Sequence, residues 1–302
     1  MDRLSAIMSF PSDPVLLGIN LPGGGFDPSA VRQRLASLAE AGYDCVEISL
    51  GMLPLIIGGE MRTEVVGVLK SILAGFDFRY SAHSLSGLDL RDITNLDMQK
   101  RVLHSSIEAC GHLEMSPLVL HFEYETKDLL IENQFAELHI QAAEFAQKCG
   151  VELCIENIEV DRIDRVIDFL NRTNHPNLRM AFDTGHAYLA AGYFHFDFLD
   201  ALEQCLPFIS HVHLSDNTGT FEELRITNRL AYDALSKTRR FAFGRGDVHL
   251  PPYWGKIPFD EVFRLLKDFS GVFMCEYYSE YFVPFNRGIQ ERIRTAIRKA
   301  RE

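Results

Sequence analysis

The stretch LRMAFDTGHA, residues 178–187, begins as a buried strand and ends in an acid, Asp183, with an imidazole, His186, three residues later. Seven other short apolar runs share its character: VLLGINL (15–21), CVEISL (45–50), FRYSAHS (78–84), PLVLHF (117–122), VELCIEN (151–157), ISHVHLS (209–215) and GVFMCEY (271–277). Longer amphipathic segments separate them, at 28–41, 61–74, 97–114, 128–149, 162–172, 258–269 and 286–301. In the first of these, Asp27 suits the N-cap, Pro28 the first turn and Gly42 the stop. Short apolar runs alternating with helices predict a parallel sheet, and eight strands in this length predict a (β/α)8 TIM barrel. The chain is therefore read as one domain, 1–302, with an insertion at about 217–257 whose middle, 221–240, is expected to be helical. Such a connection is far longer than an ordinary βα loop, and on a barrel it falls on the catalytic face, as a lid or a subunit contact.

The balance of charge narrows the partners. Against 30 basic residues stand 42 acidic ones, a net charge of −12, which repels polyanions on average and argues for a small substrate over nucleic acid. The start, MDRLSAIMSFPSDP, has no leader pattern, and no apolar stretch approaches the ~18 residues that span a bilayer, so a cytoplasmic protein is expected. Six scattered cysteines (Cys45, Cys110, Cys149, Cys154, Cys205, Cys275) form no CxxC pair, which argues against disulfides and against a thiolate zinc site.

At or near the ends of six different strands lie His83, His121, Glu156, Asp183, His213 and Glu276. Barrel strand ends converge on one mouth, where several inward carboxylates repel one another unless cations neutralise them. A metal ion is the economical neutraliser. Asp183 alone reads equally well as a helix cap, but beside the other strand ends it joins the same candidate set, and His186 returns its ring to the same mouth. Asp247 and His249, two apart in GDVHLPPYWGKIPF, point the same way in extended backbone and add a further pair. Carboxylate and imidazole ligands without thiolate suit Zn²⁺ or Mn²⁺ among other divalent ions, and nine candidates imply one to three of them. His104, His112, His139 and His175 are set aside as solvated or structural, and His211 as a supporting residue a layer below His213.

The motifs SAHS, LHFE, CIENI, FDTGHA, HVHLSDN, GDVHLPPYWGKIPF and MCEYY together resemble those of the xylose-isomerase-like TIM-barrel superfamily, over nearly the whole chain. This group includes sugar-phosphate isomerases and epimerases and is related to the endonuclease IV type of apurinic-site nuclease. In its isomerase branch the resemblance implies a metal held by Glu156, Asp183, His213 and Glu276. Proton transfer would then pass through a metal-stabilised enediolate, with Glu156 and Glu276 as base and acid and His186 on a substrate oxygen. In its nuclease branch the resemblance implies three zinc ions on all nine residues, His83, His121, Glu156, Asp183, His186, His213, Asp247, His249 and Glu276, and in-line hydrolysis of a phosphodiester.

An isomerase or epimerase of a small sugar, polyol or sugar phosphate is the first expectation, and a multinuclear phosphoester hydrolase the alternative. Trp254 and Lys256 are candidate substrate contacts in the loop that carries Asp247 and His249, and a homo-oligomer is compatible with the long insertion. Two departures stand out. Many sugar epimerases carry an arginine soon after the seventh-strand histidine, whereas here SDNTGT follows and the nearest arginine is Arg225. KTRR (237–240), the one modest basic cluster, is read first as a solvated helix face.

Overall fold

Each of the eight runs forms a strand in the computed structural model, which describes residues 15–302: β1 (Leu16–Asn20), β2 (Cys45–Ser49), β3 (Arg79–His83), β4 (Leu118–His121), β5 (Leu153–Glu156), β6 (Leu178–Asp183), β7 (Ile209–Leu214) and β8 (Val272–Cys275). Every strand pairs in parallel with the next, and β8 pairs with β1 to close the barrel. The fold is a (β/α)8 TIM barrel. The strands are short and nearly wholly buried, as strands covered on both faces must be. The segment 1–14, on which the expectation of no leader rests, lies outside the described residues. Among the described residues no helix is long and apolar enough to cross a membrane.

The helices follow the punctuation of the sequence. Helix α1 (Pro28–Ala41) starts at Asp27, whose carboxylate accepts from the amides of Ser29 and Ala30, and stops at Gly42 in the left-handed region at φ 89°. Around the barrel come α2 (Thr63–Leu73), α3 (Leu96–Leu113), α4 (Leu129–Lys148) and α5 (Ile163–Thr173). Two helices, α6 (Thr184–Phe194) and α7 (Phe198–Cys205), connect β6 to β7. Helix α6 buries Thr184, Gly185, His186, Ala187, Leu189, Ala190 and Ala191, so both its polar and its apolar positions face protein and no amphipathic stripe marks it.

The long connection after β7 folds into three short helices, α8 (Leu224–Thr227), α9 (Arg229–Asp233) and α10 (Lys237–Phe243), in agreement with the helical middle expected there. Its base is pinned by the bridge between Asp216 and Leu250 and by Asp216 accepting from the amides of Gly255 and Ile257. The next helix, α11, runs only Phe259–Leu265, shorter than the 258–269 expected, because the chain leaves helical geometry at Leu266 and turns over 266–268. The chain ends in α12 (Asn286–Arg301).

Candidate metal centre

The barrel delivers the strand-end residues to one place. Glu156, wholly buried at the end of β5, has His83 Nε2 at 3.0 Å and His121 Nε2 at 3.4 Å on Oε2, and His213 Nδ1 at 3.0 Å and His186 Nδ1 at 3.5 Å on Oε1. His213 Nδ1 is also 3.0 Å from Glu276 Oε2, so one imidazole nitrogen faces two carboxylates. Asn20 orients the other Glu276 oxygen by donating to it over 3.2 Å. On the far side, Asp247 Oδ2 lies 2.6 Å from His249 Nε2 and 3.6 Å from His186 Nε2.

The nine candidate ligands fall into three groups whose donor atoms lie within 4.8 Å of one another: His83, His121 and Glu156; Glu156, Asp183, His213 and Glu276; and His186, Asp247 and His249. Glu156 belongs to two of them.

The opening stretch carries both readings of Asp183 at once. Strand β6 passes directly into α6 at Asp183-Thr184. Asp183 caps α6 by accepting from the His186 amide over 2.6 Å, and the i, i+3 spacing brings the His186 ring back to the same carboxylate at 3.6 Å. Gly185 makes the junction possible, because a β-carbon there would overlap Ser215 Oγ.

Two observations show that these residues fit a divalent ion. The histidines have their outer nitrogens occupied: His83 Nδ1 at Ser84 O (3.1 Å), His186 Nδ1 at Asn157 O (3.1 Å), His249 Nδ1 at Glu276 O and His121 Nδ1 beside Glu123 (3.6 Å). That arrangement leaves the Nε2 atoms of His83 and His121 toward Glu156 and those of His186 and His249 toward Asp247, as metal-binding imidazoles require. In addition, Glu276 Oε2 is buried without a hydrogen bond of good geometry, although His213 Nδ1 stands 3.0 Å away. His249 is held in the left-handed region at φ 46°, a costly conformation for a residue with a side chain that is common where a site dictates geometry.

Protonation follows the same logic. Burial would lower the basicity of His121 and His249, but Glu123 and Glu156 raise the first to about 10 and Asp247 raises the second to about 9. Against the same burial, His213 above all holds Glu156 well below the usual carboxylate range, and His249 does so for Asp247. Asp183 is the exception, since burial pushes it up to about 7.

One residue escaped the sequence reading. Glu47, in the middle of β2, is 1% exposed and crosses the barrel interior to reach His213 Nε2 at 3.2 Å, with His211 Nε2 at 3.3 Å. Its signal was a lone acid inside the run CVEISL. His211 does lie beneath His213, as expected.

The insertion contributes more than cover. Arg225 Nε is 2.6 Å from Glu159 Oε1, and the other Glu159 oxygen is 3.9 Å from His186 Nε2. The KTRR cluster is not simply a solvated face. Arg240 donates to Tyr232 Oη and to the Asp247 carbonyl, each over 3.2 Å, and so ties α10 to the ligand loop. Lys237 packs on the Tyr278 ring at 4.0 Å and lines a cavity of 290 Å³ that also reaches His249, Glu276 and Asn20. Trp254 and Lys256 do not line that cavity; Trp254 packs edge-on against Phe282 and Phe285, and the Lys256 amide donates to Asn217 O.

Comparison with known proteins agrees with the barrel fold. Residues 35–300 match the family described as "Xylose isomerase-like TIM barrel". The chain belongs to this family. An inosose dehydratase from Yersinia enterocolitica is 27% identical over 168 residues, covering 52% of each chain, so the match spans about half the length of that relative. Among solved structures, a D-tagatose 3-epimerase-like protein superimposes with TM-score 0.71 at 18% identity over 94% of this chain and 99% of that one. A xylose isomerase-like TIM-barrel protein from Mycobacterium smegmatis, in complex with magnesium, gives TM-score 0.71 at 14% identity over 96% and 98%. At these identities the two structures speak to the fold.

Proposed function

We propose that the protein is a divalent-metal-dependent isomerase or epimerase of a small sugar, polyol or sugar phosphate, acting at Glu156, Asp183, His213 and Glu276. The supporting observation is the pair of carboxylates, Glu156 and Glu276, each 3.0 Å from the same nitrogen of His213, so that two groups able to carry a proton converge on one point. An ion bound by these four residues would supply Lewis acidity toward a substrate carbonyl. Glu276, which faces the 290 Å³ cavity with Asn20 steadying it, takes the proton from the carbon beside that carbonyl. Glu156 serves the opposite face, and His186 donates to a substrate oxygen. The names of the family and of its epimerase and dehydratase relatives point to the same class of substrate.

A second reading, hydrolysis of a phosphoester at a multinuclear centre, is favoured by the division of nine ligands into three groups. Deuterium uptake separates the two. Candidate ketoses incubated in D₂O with metal-loaded protein should acquire deuterium at the carbon beside the carbonyl, and Glu276→Gln should stop it. Uptake undiminished in that variant sinks the assigned base. Turnover of a phosphoester without any uptake supports the second reading.

A further inference from the structure

The geometry points to Glu47 as the positioning residue that fixes which nitrogen of His213 is offered to the ion, an inference that rests on the metal reading of the site above.

His213 has carboxylates on both sides. Toward the mouth, Nδ1 is 3.0 Å from Glu156 and from Glu276; toward the barrel floor, Nε2 is 3.2 Å from Glu47 Oε1 and 3.3 Å from Oε2. A neutral imidazole carries one N–H and one lone pair, so it can donate to only one side. With an ion on the Nδ1 side, Glu47 is the side left to receive. An ionised carboxylate only accepts, and Glu47 is buried: Ser81 donates to Oε2 over 3.0 Å and His211 Nε2 lies 3.3 Å from that same oxygen, while Oε1 faces His213 Nε2 at 3.2 Å. With the proton on Nε2, the lone pair of Nδ1 is aimed at the point shared by Glu156, Asp183 and Glu276.

The other four histidines of the mouth have backbone carbonyls or the partly exposed Glu123 behind them. Only His213, at the centre, has a fully buried carboxylate, and it comes from β2 on the other side of the barrel. A carboxylate is a stronger acceptor than a carbonyl and makes the imidazole a better ligand. Glu47 Oε1 and His211 Nε2 are buried without a hydrogen bond of good geometry, an arrangement that costs stability and that packing alone does not call for.

The test uses Zn²⁺ alone as the probe, added to chelator-treated full-length protein. Glu47→Gln should weaken Zn²⁺ binding by about 10–100-fold, the usual effect of losing such a partner. In parallel, nitrogen NMR of histidine-labelled, zinc-loaded wild-type protein, with His213 assigned by comparison with His213→Asn, should show Nε2 protonated and Nδ1 bound. Unchanged zinc affinity in Glu47→Gln overturns the inference and leaves the metal reading intact. If that variant does not fold, the wild-type spectrum decides, and a His213 Nε2 without a proton overturns it. Wild-type protein that takes up no divalent ion refutes the metal reading and this inference with it.

Discussion

His213 and His139 are both buried histidines of one molecule, and their surroundings drive them in opposite directions. At the barrel mouth, burial works against the His213 cation, but Glu47, Glu276 and Glu156 overcome it and raise the group well above its ordinary value. Between α4 and the barrel, His139 meets the rings of Phe135 and Phe169 at 4.2 and 5.3 Å, and burial lowers it to about 4 with Arg91 adding to the effect. His139 Nδ1 donates to Phe135 O over 2.8 Å and needs nothing more. Burial is common to both sites and so does not mark function. Carboxylates gathered around an imidazole do, because each must be compensated and folding alone supplies no reason to bring them together.

The comparison breaks most sharply if a mouth carboxylate proves as dispensable as an ordinary buried side chain. Glu156→Gln should lower turnover by about 10²–10⁴-fold, the range for loss of an acid–base group, and should also lower metal content, measured by elemental analysis. A variant with normal turnover would place the chemistry elsewhere.

His139 tests the opposite pole through stability. Its value in the folded chain, about 4, lies below the ordinary 6.5, so between these pH values the unfolded chain binds a proton that the folded chain refuses. Stability should therefore fall as pH drops from 6.5 toward 4, by about 3 kcal/mol from this residue. Urea unfolding across that window should show a pH dependence in wild type that differs from that of His139→Leu by this contribution. An equal slope in both would mean that the ring environment is not what sets this residue.

The strand-to-helix junction at the mouth should tolerate less than its glycine suggests. Gly185→Ala pushes a methyl into Ser215 Oγ and crowds Asp183 Oδ1, and overpacking of this kind costs about 1–3 kcal/mol. Because both neighbours border the ligand group, zinc affinity should fall along with the melting temperature; loss of stability with unaltered affinity would separate packing from the site.

A last effect, on metal affinity, concerns the mouth's own protons. His121 at about 10 and His249 at about 9 are cationic at pH 7 without an ion, and an ion must displace those protons to bind. Metal affinity should rise between pH 7 and 9 by about tenfold per unit for each proton released. Calorimetry in buffers of different ionisation enthalpy counts them, and a count of zero would show that the imidazoles bind already neutral.

Much of this was legible in the sequence because a barrel converts position along a strand into position in space. His83, His121, Glu156 and Asp183 end their strands, and His213 and Glu276 sit within one residue of an end, so one rule located them all. Glu47 was illegible for the complementary reason. It lies mid-strand, and its partner is on a strand with which it does not pair, so only the closed barrel brings them together. Helix α6 hid because it is buried on nearly all sides, and Arg240 read as surface because the turn of the insertion that points it at Asp247 is a tertiary fact.

The most direct measurement is divalent metal per chain by elemental analysis, on protein prepared without chelator, for wild type, Asp183→Asn/Glu276→Gln and Asp247→Ala/His249→Ala. The account predicts at least about one ion in wild type, lost from Asp183→Asn/Glu276→Gln and kept by Asp247→Ala/His249→Ala. Two or three ions that decline in the last variant would turn the reading toward phosphoester hydrolysis. No ion in wild type after supplementation, or full retention when Asp183 and Glu276 are replaced, would contradict the claim that the barrel mouth is a metal centre.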